Sequence, residues 1–94
     1  MLKSFANRDA ESIWLGHFAR RLPTDIQRIA RRKLRMLDAA TALEELRVPP
    51  GNRLEALKGD RAGQYSIRIN DQWRICFVWD GDGAREVEIV DYHG

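Results

Sequence analysis

The spacing of apolar residues changes period once along the chain, from a helical repeat in the first half to strict alternation in the second. Leu2-Lys3-Ser4-Phe5 reads as a short opening strand. Asn7 is placed to cap a helix whose apolar stripe is Ile13, Trp14 and Phe18. Pro23-Thr24-Asp25-Ile26-Gln27 predicts a second helix start. Thr24 is a good N-cap residue, Gln27 follows three residues on as in a capping box, and Asp25 suits the positive helix end. Ile26, Ile29, Ala30, Leu34, Leu37 and Ala40 then recur at helical spacing, predicting a helix over residues 24–40 with its arginines on other faces.

Thr41 to Leu46 reads as a short helical turn, and Val48-Pro49-Pro50-Gly51-Asn52 ends helical structure and redirects the chain. Beyond it the period is two. Leu54 to Asp60 is expected to run as a strand into a Lys58-Gly59-Asp60 turn. Tyr65, Ile67 and Ile69 alternate with Ser66, Arg68 and Asn70, and Trp73, Ile75, Phe77 and Trp79 alternate with Arg74, Cys76 and Val78. Asn70-Asp71-Gln72 predicts a tight hairpin. Asp80-Gly81-Asp82-Gly83 predicts a second, leading to a strand from Glu86 to Tyr92. An opening strand and two helices packed on an antiparallel meander make an α+β fold, and residues 1–94 make one domain because a chain of this length supports one core.

Composition narrows the setting. The single Cys76 cannot form an internal bridge, and no Cys/His set has zinc-ligand spacing, so neither a metal nor another cofactor is expected. No export signal and no membrane-length apolar stretch is legible, which predicts a soluble cytoplasmic protein with no membrane partner. The net charge of +2 is uneven: residues 1–40 hold nine Lys/Arg against four Asp/Glu, and residues 41–94 hold seven against ten. The basic half centres on Arg28, Arg31, Arg32, Lys33 and Arg35, which is either a polyanion-binding surface or a solvated helix face.

Candidate chemistry concentrates in the second half. Trp73, Ile75, Phe77 and Trp79 are expected to face the helices, which turns Arg74, with Cys76 and Val78, to the opposite, open face of the sheet as a phosphate contact or as a strand arginine paired with Asp71 or Glu88. Lys58 is either a phosphate contact or a plain turn lysine, and Arg61 and Arg68 are weaker candidates of the same kind. Strand periodicity runs up to Asp91-Tyr92-His93, predicting a terminus held down where His93 can exchange a proton near neutral pH. Such residues suit metal-free RNA cleavage. A base takes the 2′-hydroxyl proton, a cation stabilises charge at phosphorus, and an acid protonates the leaving 5′-oxygen. No carboxylate cluster has the spacing of a two-metal nuclease.

Leu57-Lys58-Gly59-Asp60-Arg61, Trp73-Arg74-Ile75 and Asp91-Tyr92-His93 together resemble the HigB branch of the RelE/ParE toxin superfamily, the plasmid-maintenance killer proteins. The resemblance covers nearly the whole chain, from Lys3-Ser4-Phe5 onward. It implies a RelE-like fold and a ribosome-dependent endonuclease that cuts mRNA codons in the decoding site. It further implies a HigA-like helix-turn-helix antitoxin, with operator DNA bound only through that antitoxin. By position, Lys58 and Arg74 would contact the scissile phosphate, and Asp91, Tyr92 and His93 would form the C-terminal part of the site. Arg28, Arg31, Arg32, Arg35, Arg61 and Arg68 would meet RNA or the ribosome. Several relatives carry His where this chain has Glu55, so either Glu55 or His93 is the general base. Two rivals share these residues: a non-catalytic ParE-like toxin acting on gyrase, and a basic RNA-binding domain using residues 28–35 over a purely structural sheet.

Overall fold

The computed structural model describes residues 1–92. Two helices, α1 (Arg8–Trp14) and α2 (Thr24–Ala39), are followed by four strands: β1 (Glu55–Ala56), β2 (Tyr65–Arg68), β3 (Trp73–Asp80) and β4 (Gly83–Asp91). The strands form one antiparallel sheet in the order β1-β2-β3-β4, as a meander requires. No helix is long and apolar enough to cross a membrane.

α1 begins where the Asn7 side chain accepts from the Ala10 N–H at 3.0 Å. It stops at Trp14, two residues before Gly16 turns through a φ of 84°. That early stop corrects the expected stripe: Ile13 is buried, but Phe18 lies beyond the helix and is 63% exposed. α2 buries Ile26, Ala30, Leu34 and Leu37 on one stripe, as predicted. Its start differs from the expected capping box. Thr24 is the first helical residue and makes no capping bond. Gln27 instead reaches back along the preceding connection, accepting from the Ala19 N–H at 3.0 Å and donating to the carbonyls of Ala19 and Leu22 at 2.8 and 3.0 Å.

The core lies between α2 and the inner sheet face, where Ile67, Ile75, Phe77, Val87 and Ile89 are buried. Tyr65 and Phe77 stack across β2 and β3 with ring centroids 6.3 Å apart. The residues before α1 add two isolated parallel bridges, Leu2 to Ala84 and Phe5 to Val87, rather than a continuous strand. They lie along β4, which starts three residues earlier than the expected Glu86 because Gly83 already pairs with Asp80 around the turn. Between Cys76 and Val78 the β3–β4 register shifts by one residue, and Glu86 there takes a φ of 53°.

The segment between α2 and β2 is less regular than expected. Two 3-10 turns, Leu43–Arg47 and Pro50–Asn52, precede β1, which spans two residues before the chain enters a third, Gly59–Arg61. Asn52 is fully buried, donates to the carbonyls of Leu46 and Val48, and accepts from Lys33 on α2. Arg53 follows with a φ of 45°, a left-handed conformation that costs a non-glycine residue roughly 1–2 kcal/mol. Its carbonyl is thereby turned toward the sheet.

Candidate active site

Register places the functional side chains. Residues opposite one another in neighbouring strands share a face, so Glu55 with Ser66, Ser66 with Cys76, and Cys76 with Glu88 line the outer face that also carries Arg74. The inner face keeps Ile75 and Phe77, as alternation predicted.

Arg74 does not look into an open face, however; it is only 7% exposed. Its Nε donates to the Ser66 hydroxyl at 2.7 Å, and its Nη2 donates to the Arg53 carbonyl at 2.7 Å. The Tyr92 ring covers the guanidinium at 5.0 Å. Asp71 and Glu88, the expected alternatives, are taken by Arg68 and Arg61. Among the described residues Arg74 therefore has no carboxylate partner, and its charge is balanced only by a hydroxyl, carbonyls and an aromatic face. A buried cation in that condition can accept an anionic partner.

The Tyr92 phenol donates to Oε1 of Glu55 at 2.8 Å. That bond, with the carboxylate's charge, pushes the phenol pKa up. Beside the pair lies a cleft of about 380 Å³ lined by Leu57, Lys58, Arg61, Cys76, Val90, Asp91 and Tyr92. Lys58 precedes the Gly59–Arg61 turn and is exposed at the cleft. Arg61 points its Nη1 at Glu88 Oε1, 2.6 Å away, and at Gln64 Oε1, 3.0 Å away. Asp91 accepts from the Gln72 side chain at 2.9 Å, and the Tyr92 N–H donates to the Gln72 carbonyl at 2.6 Å, which ties the end of β4 to the neighbouring hairpin. Cys76 forms the floor, buried, with its thiol pKa pushed up by desolvation.

The structure thus brings Glu55, Lys58, Arg61, Arg74 and Tyr92 to one end of the outer face, while Asp91, opposite Trp73 in the register, reaches the same cleft from the end of β4. Arg68 ion-pairs with Asp71 at the hairpin and does not line the cleft. His93 lies outside the described residues. Ser66 and the Arg53 carbonyl, which hold Arg74, were not singled out from sequence. The signal for Ser66 was available, because a small polar residue alternates with Tyr65 and Ile67 on the strand that pairs with Arg74. Among the described residues no group of three or more His, Cys, Asp or Glu side chains is placed to hold a metal ion.

A second, larger groove of about 510 Å³ lies between the α1–α2 connection and α2. Arg28, Arg31, Arg32 and Arg35 follow one another at helical spacing along it, facing His17 and Phe18. None of the four arginines has an ion-pair partner among the described residues. It is a basic surface whose acid–base side chain is His17, whereas the smaller cleft lies beside the Glu55–Tyr92 pair.

Residues 3–93 match the model of the family described as the RelE-like toxin of type II toxin–antitoxin system HigB. The chain belongs to this HigB-like toxin family. It is 50% identical to "Toxin HigB-1" of Vibrio cholerae over 85% of its length and 90% of that protein. It is 35% identical to "Endoribonuclease HigB" of Proteus vulgaris over 99% of its length and all of that protein. Among solved structures, the "YoeB-YefM complex from Staphylococcus aureus" aligns with a TM-score of 0.62 at 19% identity, covering all of this chain and 99% of that one. The fold is thus that of RelE-type toxins, and membership in a HigB family of toxin–antitoxin systems makes an antitoxin the partner of this HigB-type toxin.

Proposed function

We propose that this HigB-type toxin is an endoribonuclease that cuts mRNA on the ribosome and stops translation by metal-free acid–base chemistry. The observation that carries the reading is the stack of Glu55, Tyr92 and Arg74: a carboxylate, a phenol bonded to it, and a buried guanidinium with no carboxylate partner among the described residues, beside a cleft that presents Lys58.

In this reading a scissile phosphate binds against Arg74 and Lys58. Tyr92 covers Arg74, so its ring must slide from the guanidinium as the phosphate enters, exchanging a cation–π contact for a charge-assisted hydrogen bond. Glu55 or His93 takes the 2′-hydroxyl proton. The 2′-oxygen bonds to phosphorus, the bond to the 5′-oxygen breaks, and the other group of the pair protonates the leaving oxygen. Acid–base help contributes roughly 10²–10⁴ in rate, and the cations add electrostatic stabilisation at the transition state. So few groups leave the positioning of the 2′-hydroxyl to the ribosome, where orientation is worth several kcal/mol.

The stripe from Arg28 to Arg35 serves docking. Four guanidinium groups along one groove, with no ion-pair partner among the described residues, suit the phosphates of ribosomal RNA, while Arg61 meets mRNA in the cleft and Arg68, paired with Asp71, contributes least. A HigA-like helix-turn-helix antitoxin neutralises the toxin in the cytoplasm and carries the pair to operator DNA. The test is a primer-extension map of transcripts after induced expression, with and without translation. Cuts within translated codons are expected. Arrested growth without new 5′ ends would favour a ParE-like, non-catalytic toxin.

A further inference from the structure

We propose that Glu88 is a positioning residue that fixes Arg61 as a third cation on the cleft, aimed at the phosphate of the bound RNA; the role rests on the nuclease reading above. Arg61 ends a three-residue turn that begins at Gly59 and is followed two residues on by Gly63, and the two glycines have φ values of 64° and 92°. A Cβ at either glycine would meet no atom within 4 Å beyond its chain neighbours, so the backbone around Arg61 is open there. From the loop itself Gln64 holds the arginine, and Glu88 holds it from the sheet. It stands opposite Cys76 on the long β4 strand, and the register shift beyond it sets which β4 residues reach the outer face. Its Oε1 lies 2.6 Å from Arg61 Nη1, and Gln64 Oε1 lies 3.0 Å from the same nitrogen.

One guanidinium nitrogen is therefore anchored twice. Nε and Nη2 make no hydrogen bond among the described residues, which leaves one edge of the planar fork for phosphate oxygens. A freely rotating arginine would have to be ordered anew with each substrate, and the Glu88 anchor removes that step. Glu88 offsets part of the Arg61 charge, so its contribution is direction rather than attraction.

The experiment compares the full-length toxin with Glu88→Ala and Glu88→Gln. It measures cleavage of translated mRNA, with kcat and KM separated, and rotation of the Arg61 guanidinium by nitrogen NMR. Glu88→Ala is expected to lower kcat about tenfold with KM near the parent's, as loss of orientation does, and to turn slow guanidinium rotation fast. Glu88→Gln keeps an acceptor in place and is expected to restore most of both. An unchanged kcat in Glu88→Ala overturns the proposal. So does Glu88→Gln being as impaired as Glu88→Ala, because then the charge and not the grip on Arg61 would matter. If the parent itself cuts no translated mRNA, the nuclease reading fails, and the probe becomes a 2′-deoxy trinucleotide titrated into the cleft. Weaker binding by Glu88→Ala would still support the anchor, whereas equal or absent binding would overturn it.

Discussion

The Tyr92 hydroxyl donates to Glu55 across 2.8 Å, joining the end of β4 to the edge strand β1, 37 residues apart in sequence. The phenol pKa is raised above its ordinary value, first by that hydrogen bond and then by the carboxylate's charge. A value raised on folding means that the bond's stabilisation is complete below the unfolded-state pKa and fades as pH climbs through the folded one. Tyr92 therefore remains a neutral donor throughout the physiological range. Glu55→Gln should bring the phenol titration down, followed by NMR of the Tyr92 ring against the parent protein. A Tyr92 titration that does not move would break the pairing.

Arg74 gives a prediction in which folding and activity separate. Arg74→Ala removes the donor to both Ser66 and the Arg53 carbonyl, so stability should fall by about 1–3 kcal/mol, read by urea denaturation. Arg74→Lys retains a charge but not the planar fork. It should stay folded and still lose most toxicity. Full growth arrest by the lysine variant would show that a point charge suffices and that the fork is not the phosphate ligand.

The division of proton transfer can be decided with two variants. If His93 moves the proton, deleting His93-Gly94 should slow cleavage roughly 10²-fold or more while Glu55→Gln is mild. The opposite pattern assigns the transfer to Glu55. Cleavage unaffected by either change would remove this pair from the mechanism.

Cys76 should resist alkylation in the folded toxin at neutral pH, since burial both shields the thiol and raises its pKa. Reaction should appear only with unfolding, followed by mass spectrometry across a denaturant series. Rapid labelling of the native protein would mean that the cleft floor opens.

Gly83 tests the attachment of the first residues. A Cβ there would stand 2.5 Å from the Met1 carbonyl oxygen, beside the bond that Ala84 N–H donates to the same oxygen at 2.8 Å. Gly83→Ala should cost about 1–3 kcal/mol, the usual range for forced overpacking, seen as a lower Tm. Unchanged stability would show that this segment contributes little.

The sequence made some of this legible and hid the rest for identifiable reasons. The period of α2 and the alternation of β3 report which face is buried, so Leu34, Leu37, Ile75 and Phe77 were readable as core. Alternation also placed Arg74 on the outer face, but its burial depends on Ser66, the Arg53 carbonyl and the Tyr92 ring, each distant in sequence. Gln27 looked like half of a capping box because local spacing cannot show that the chain before α2 curls within its reach. Phe18 looked like helix because its spacing from Trp14 is right, while Gly16 in between ends the helix. The Arg68–Asp71 pair follows from hairpin geometry, which the run of polar residues announced without revealing its partners.

The extended residues that bridge to β4 have a consequence for how the toxin behaves in company. A sheet normally offers two rows of unpaired backbone groups to any passing strand, and long flat rows invite chains to stick together. Here one border is overlaid by the protein's own first residues, and the other is a strand of two residues that turns away at once. Neither border presents a template long enough to recruit a neighbour. The sheet therefore offers a second copy of the chain no long strand edge to add to, which removes the commonest route by which β-sheets merge between molecules.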